Sequence, residues 1–178
     1  MMRCGKFDFR KRLDLAIKSI SNLKDLNIKL HIAGSGDMAK YKTFARNLVV
    51  EDMIEWHGQV NHEEINNLMQ KSGIFLFTSI MDAIRTVVME AIQNQLSVIC
   101  FDTCGFGTVV DETIGVKIQL SNPNQSVKDF FDAIRALYNH KDKINQLSEN
   151  CKEKIKLFER DYKAKMMVGI YEKVLKSN

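Results

Sequence analysis

Two short runs with almost nothing polar in them constrain this chain more than any other feature: Ile74-Phe-Leu-Phe77 and Ser97-Val-Ile-Cys-Phe101. Strands this uniformly apolar fit a sheet whose two faces are both covered. The intervening sequence supplies the cover. Residues 11–24 place Leu13, Ile17, Ile20 and Leu23 at helical spacing, and residues 62–71 put Ile65, Leu68 and Met69 on one helical face. Residues 38–48 and 85–94 also read as helices. Further strands are predicted over 28–33, stopping at Gly34-Ser-Gly36, over 53–56, ending at Gly58, and over 116–120. The segment before residue 10 reads as a partial first strand. Cys104-Gly-Phe-Gly107 leads into a short helix near 108–112, and helices follow over 125–138, 141–156 and 159–176. Strands alternating with helices predict an α/β protein. The expected form is a Rossmann-like three-layer α/β/α arrangement with a mostly parallel sheet of about six strands. Residues 1–178 are expected to form one domain, with the helices from about 125 to 178 packing on it.

Composition excludes several classes. Apolar residues make up 45% and charged residues 27% of the 178, so the chain is neither disordered nor fibrous. A net charge of +4 is too small to argue for a nucleic-acid binder. No apolar run approaches a membrane span. No signal-peptide pattern opens the chain, and Cys4, Cys100, Cys104 and Cys151 form no CxxC pair. Free thiols and a cytoplasmic location are therefore expected.

In a parallel sheet of this kind ligands bind at the carboxyl ends of the strands, which here means just after residues 33, 57, 78 and 102. Gly34-Ser-Gly-Asp-Met-Ala39 fits G-x-G-x-x-A after a strand and before a helix. It reads as a tight turn, or a turn lining a different nucleotide site, because no acidic residue follows at the distance a dinucleotide needs. An NAD-binding domain is the competing reading. Asp82 is either a helix N-cap or a ligand contact. Glu90 lies within the apolar stretch Thr86-Val-Val-Met-Glu-Ala-Ile92, where a carboxylate needs a partner, a polar ligand or solvent. Lys6, Arg10, Lys11 and Arg12 form a basic cluster, either solvated or clamping a phosphate. The helix start near Ile84 to Thr86 adds backbone donors for an anion. The four histidines are expected not to cluster, with His57 the best placed to line a ligand.

Taken in order, these pieces resemble the C-terminal, nucleotide-sugar-binding half of a group 1 (family 4) glycosyltransferase of the GT-B fold. Gly5-Lys-Phe-Asp-Phe-Arg-Lys11 resembles the family's G-R-x-x-x-x-K stretch, and His31-Ile-Ala-Gly-Ser-Gly36 its strand ending in G-x-G. His57-Gly-Gln-Val-Asn-His-Glu-Glu64 is similar to G-x-V-x-x-E-E, and Phe75-Leu-Phe-Thr-Ser79 to F-L-x-P-S. Asp82 through Glu90 matches the E-x₇-E motif in an Asp-first form. Leu96-Ser-Val-Ile-Cys100 with Asp102 and Gly105 is similar to the family's next strand and loop.

The resemblance implies a single half of a GT-B fold, without the N-terminal acceptor domain. It implies a retaining hexosyltransferase that uses a UDP- or GDP-sugar and a saccharide or lipid-linked acceptor, in surface polysaccharide biosynthesis. Asp82 and Glu90 would be the catalytic carboxylates. Lys6, Lys11, Arg85 and Thr86 would bind the donor diphosphate, and Glu90 the ribose. Asp82, Ala83 and Ile84 would meet the donor sugar, and Gly34, His57, Gly58 and Val60 would line the base. No cofactor and no metal are implied, nor a nucleic-acid partner or a membrane span, although peripheral membrane association of the full-length enzyme fits the family. The final helix, near 159–176, would cross back to the other domain. Two departures stand out: Lys6 replaces an arginine, and Ala83-Ile-Arg-Thr86 replaces glycines between the carboxylates. They keep a second reading open, a degenerate scaffold or interaction domain that binds no nucleotide. The isolated chain is expected to turn over little or nothing.

Overall fold

A computed structural model describes residues 1–82 and 86–176. Six strands form one parallel sheet: β1 (Met2–Cys4), β2 (Leu30–Ala33), β3 (Ile54–Gly58), β4 (Ile74–Phe77), β5 (Ser97–Phe101) and β6 (Gly115–Ile118). Their order is β3-β2-β1-β4-β5-β6, so the direction of winding reverses between β1 and β4. Helices α1 (Leu13–Ser21), α2 (Met38–Asn47), α3 (His62–Gln70) and α4 (Thr86–Gln93) connect the first five strands in turn. Right-handed crossovers place α1 and α2 on one face, and α3 and α4 on the other. Helices α5 (Pro123–Asn139) and α6 (Lys141–Lys156) then complete the two layers, α5 packing against α1 and α6 against α4.

Local chemistry fixes the helix starts. The Asp37 carboxylate accepts the Lys40 N–H at 3.0 Å, and Asn61 and Glu64 form a reciprocal capping box. Asn122 caps α5 ahead of Pro123, whose fixed φ suits the first helical position. The core is mostly aliphatic, with several aromatic contacts. Phe101 meets Phe130 edge-on at 5.0 Å, and Phe77 meets Phe106 edge-on at 4.9 Å.

Two expectations fail here. The stretch 108–112 is a series of turns, not a short helix. Phe106, Val109 and Val110 are all buried, which draws the chain inward three times in five residues. Gly107 folds back so tightly that a Cβ there would lie 2.9 Å from Asp102 Oδ1. The last helix, α7 (Arg160–Lys176), does not pack on the body: it buries no residue. Its apolar residues 166–168, 170, 171, 174 and 175 spread around more than half its circumference and form no narrow stripe for the core.

The turns after β5 are anchored by Asp111, which bonds Lys154 on α6 and the Thr113 hydroxyl. Burial alone would raise the Asp111 pKa, but these hydrogen bonds outweigh it and hold the carboxyl below the usual aspartate range. The folded-state pKa therefore lies below the unfolded one. The stabilisation is complete at neutral pH and is lost as the pH falls through the folded value. Asp111→Asn is expected to lower the melting temperature at neutral pH, with the difference from wild type shrinking in strongly acidic buffer. Thermal melts by circular dichroism across that range check this.

Candidate functional site

The reversal of strand order opens a crevice at the carboxyl ends of β1 and β4, where open α/β sheets take their ligands. Backbone bonds tie the loops there into one rim. Gly5 N–H donates to Ala33 O at 3.0 Å, Phe7 N–H to Ser35 O at 2.8 Å, and Gly34 N–H to Gly58 O at 2.7 Å. On the other side of the crevice, Ile80 N–H donates to Arg10 O at 2.9 Å and Thr78 Oγ1 to Lys11 O at 2.9 Å. Asp8 caps the short 3-10 turn Phe9–Lys11 by accepting the Arg10 and Lys11 N–H groups.

These ties bring two of the predicted site residues together. The Lys11 ammonium forms an ion pair with the Asp82 carboxylate, and the two side chains are only 19% and 13% exposed. Lys11 Nζ also lies 5.7 Å from the centre of the Phe77 ring. Glu90 is half-buried on α4, and Cys4 ends β1. Burial is the main influence raising the Cys4 pKa; the Arg3 charge opposes it and Glu90 adds to it. Lys11 and Asp82 are therefore joined directly, and Glu90 lies on the helix that leaves the same end of β4. Within the basic cluster, Arg10 pairs with Asp8 and Arg12 with Asp14.

The remaining predicted residues sit around the same rim. Lys6 is exposed, Thr86 is exposed at the first position of α4, His57 and Gly58 end β3, and Gly34 and Val60 follow the ends of β2 and β3. Ala83, Ile84 and Arg85 lie outside the described residues. A cleft of about 680 Å³, lined by Phe7, Phe9, Arg12, Tyr41, Phe44 and Ile80 among others, opens beside the rim, but its lining includes none of Lys11, Asp82 and Glu90.

Two features were missed in the sequence. Arg3 is 2% exposed on β1 and donates to Gly5 O at 2.8 Å and to Lys6 O at 3.2 Å, bracing the turn that carries Lys6. Desolvation lowers its pKa to about 10. An arginine inside a central strand is the signal that could have marked it. The second is a correction: two of the histidines do cluster. His31 Nδ1 lies 3.2 Å from His57 Nε2 and 3.1 Å from Glu55 Oε2. The β2–β3 register sets His31 beside Glu55, and His57, two residues further along β3, joins the same group. The Cys100 thiol, pushed up to about 12 by burial, is inert.

A sequence profile described as "Glycosyl transferases group 1" matches residues 2–154. An uncharacterized glycosyltransferase of Methanocaldococcus jannaschii is 24% identical over 123 residues, covering 67% of this chain and 32% of that protein. This chain thus spans about a third of the length of that curated relative. Among solved structures, the pneumococcal O-GlcNAc transferase GtfA in complex with UDP and GlcNAc superimposes with a TM-score of 0.77 at 19% identity, over 99% of this chain and 35% of its own. The C-terminal domain of a group 1 family protein, LpcC, from Francisella tularensis superimposes with a TM-score of 0.74 at 14% identity, over 87% of this chain and 83% of its own. At these identities the shared property is the fold. Among the described residues no helix is long and apolar enough to cross a membrane.

The rim depends on Gly34, which has φ +146° and faces Gly5 so closely that a Cβ would lie 2.0 Å from Gly5 O. Gly34→Ala is expected to destabilise the fold by ~3 kcal/mol or more, read as a lower urea midpoint with an unchanged slope.

Proposed function

Because the chain belongs to the group 1 glycosyl transferases, we propose that it is the donor-binding half of a GT-B enzyme. The enzyme transfers a sugar from a nucleotide-sugar to a saccharide or lipid-linked acceptor held by a second domain. The observation that carries this reading is the Lys11–Asp82 pair at the reversal of strand order, with Glu90 half-buried on the helix that follows β4.

Each group has a role that its chemistry suits. Lys6 and Lys11 meet the two charges of the donor diphosphate, joined by Arg85, by Thr86 and by backbone N–H groups at the start of α4. As the glycosidic bond to the diphosphate breaks, negative charge grows on the leaving oxygen, and fixed cations stabilise it. In this reading lysines supply the positive charge that other phosphate sites take from a metal. The Glu90 carboxylate accepts the paired hydroxyls of the ribose. Asp82, with Ala83 and Ile84, meets the donor sugar and orients Lys11. The base lies along Gly34, His57, Gly58 and Val60. A UDP-sugar is the first choice of donor, in keeping with the UDP bound in the GtfA structure, and a GDP-sugar the second. Retention of anomeric configuration, and a place in cytoplasmic assembly of surface polysaccharide or glycolipid, follow from the family resemblance.

One observation favours the second reading, a scaffold that binds no nucleotide. Lys11, Arg10 and Arg12 are each paired with a carboxylate within the chain, so much of the basic cluster is already neutralised. Calorimetric titration with UDP, GDP, ADP and NAD separates the two. The donor reading predicts binding of UDP or GDP, weakened about tenfold or more by Glu90→Ala and by Lys11→Ala, the loss expected for a charge-assisted hydrogen bond. NAD binding that survives Glu90→Ala would overturn it in favour of a dinucleotide site. Absence of binding to every nucleotide would favour the scaffold.

A further inference from the structure

We propose that His31, Glu55 and His57 form a binding site for a divalent transition-metal ion of the zinc class, at the β2–β3 edge of the sheet. The donor reading also uses His57, to line the base, whereas His31 and Glu55 have no part in it.

Three donor atoms converge there: His31 Nδ1, a Glu55 carboxylate oxygen and His57 Nε2 all lie within 4.8 Å of one another. Two of the separations are 3.1 and 3.2 Å. Nitrogen and oxygen ligands sit about 2.0–2.2 Å from zinc, so neighbouring ligands of a tetrahedral ion lie roughly 3.4 Å apart. The atoms are thus already close to a ligand spacing, before any side chain moves. Two imidazoles with one carboxylate are the ligand set of a three-point zinc site, which leaves the fourth position to water. The Glu55 side chain is 47% exposed and His31 18%, so the outer side of the group is open to an arriving ion.

Hydrogen bonding alone leaves this arrangement frustrated. His31 Nδ1 lies at hydrogen-bond distance from two acceptors, a carboxylate and an imidazole nitrogen. If His31 carries the proton, that one hydrogen is shared between them. If His57 Nε2 carries it, the bare Nδ1 of His31 faces the Glu55 carboxylate, lone pair against lone pair. A cation takes all three lone pairs at once, and needs neutral imidazoles and an ionised carboxylate. The backbone gives such an ion a purpose. The β2–β3 register shifts between Ile32 and Ala33, and a metal bridging His31 to Glu55 and His57 pins the two strands on either side of that irregularity.

The test is titration of the tag-free chain with Zn²⁺ by calorimetry and with Co²⁺ by visible absorption. One equivalent of Zn²⁺ is expected to bind in the micromolar range, with Co²⁺ bands of nitrogen and oxygen ligation and no thiolate charge-transfer band. His31→Gln and Glu55→Gln should each weaken Zn²⁺ about tenfold or more, while His62→Gln and Cys104→Ser leave it unchanged. Metal-free melting temperatures show whether each variant is folded. Glu55→Gln, at a half-exposed position of nearly unchanged shape, keeps the test available if His31→Gln unfolds. Zn²⁺ binding no tighter than millimolar, binding unchanged in folded His31→Gln or Glu55→Gln, or binding abolished by Cys104→Ser would overturn the proposal.

Discussion

The approach of Gly34 to Gly5 governs the rest of this molecule. There the ends of β1 and β2 come so close that any side chain on Gly34 would overlap the Gly5 carbonyl. The contact brings the Gly5, Phe7 and Gly34 amides within reach of Ala33, Ser35 and Gly58, and three separate loops become one hydrogen-bonded rim. A second set of bonds, from Ile80 and Thr78 to the 3-10 turn at Phe9–Lys11, fixes the far wall. Lys11 and Asp82, 71 positions apart in sequence, are thereby held at pairing distance on elements that are themselves held.

Arg3 shows what this rim costs. Burying a guanidinium is unfavourable unless its donors are satisfied. Among the described residues Arg3 has no carboxylate in ion-pair contact, and the Gly5 and Lys6 carbonyls and the Phe7 face receive it instead. The lowered pKa is the mark of that desolvation. The arginine is kept where it braces the turn that presents Lys6. A buried group whose donors are satisfied by the loop's own carbonyls holds that loop in one shape.

Much of the architecture was legible because burial on two faces leaves a plain signature. Ile74–Phe77 and Ser97–Phe101 match the predicted strands residue for residue, since strands covered on both faces are almost wholly apolar. Asp82 and Lys11 were singled out by residue type and place, and the fold brings them together. What stayed hidden depends on contacts that one-dimensional pattern does not carry. Val109 and Val110 look like the start of a helix, but the core claims both of them and Phe106, and the chain must turn to deliver them. His31 and His57 are 26 positions apart, and only the β2–β3 register places their rings together. The apolar residues of α7 share one broad sector, and the pattern alone does not say that the core leaves them uncovered.

The sheet also has a seam. β1 pairs with β2 through three residues but meets β4 in register at a single position, Met2 with Phe75. The half made of β3, β2 and β1 is thus joined to the half made of β4, β5 and β6 by the thinnest ladder in the sheet, in the middle of the molecule. Local opening follows the weakest cooperative boundary. In this protein that boundary runs under the crevice, so a ligand gripping Lys11 on one side and α4 on the other would act as a rivet across it. Occupancy would be felt as slower hydrogen exchange along both flanks, far from any atom the ligand touches.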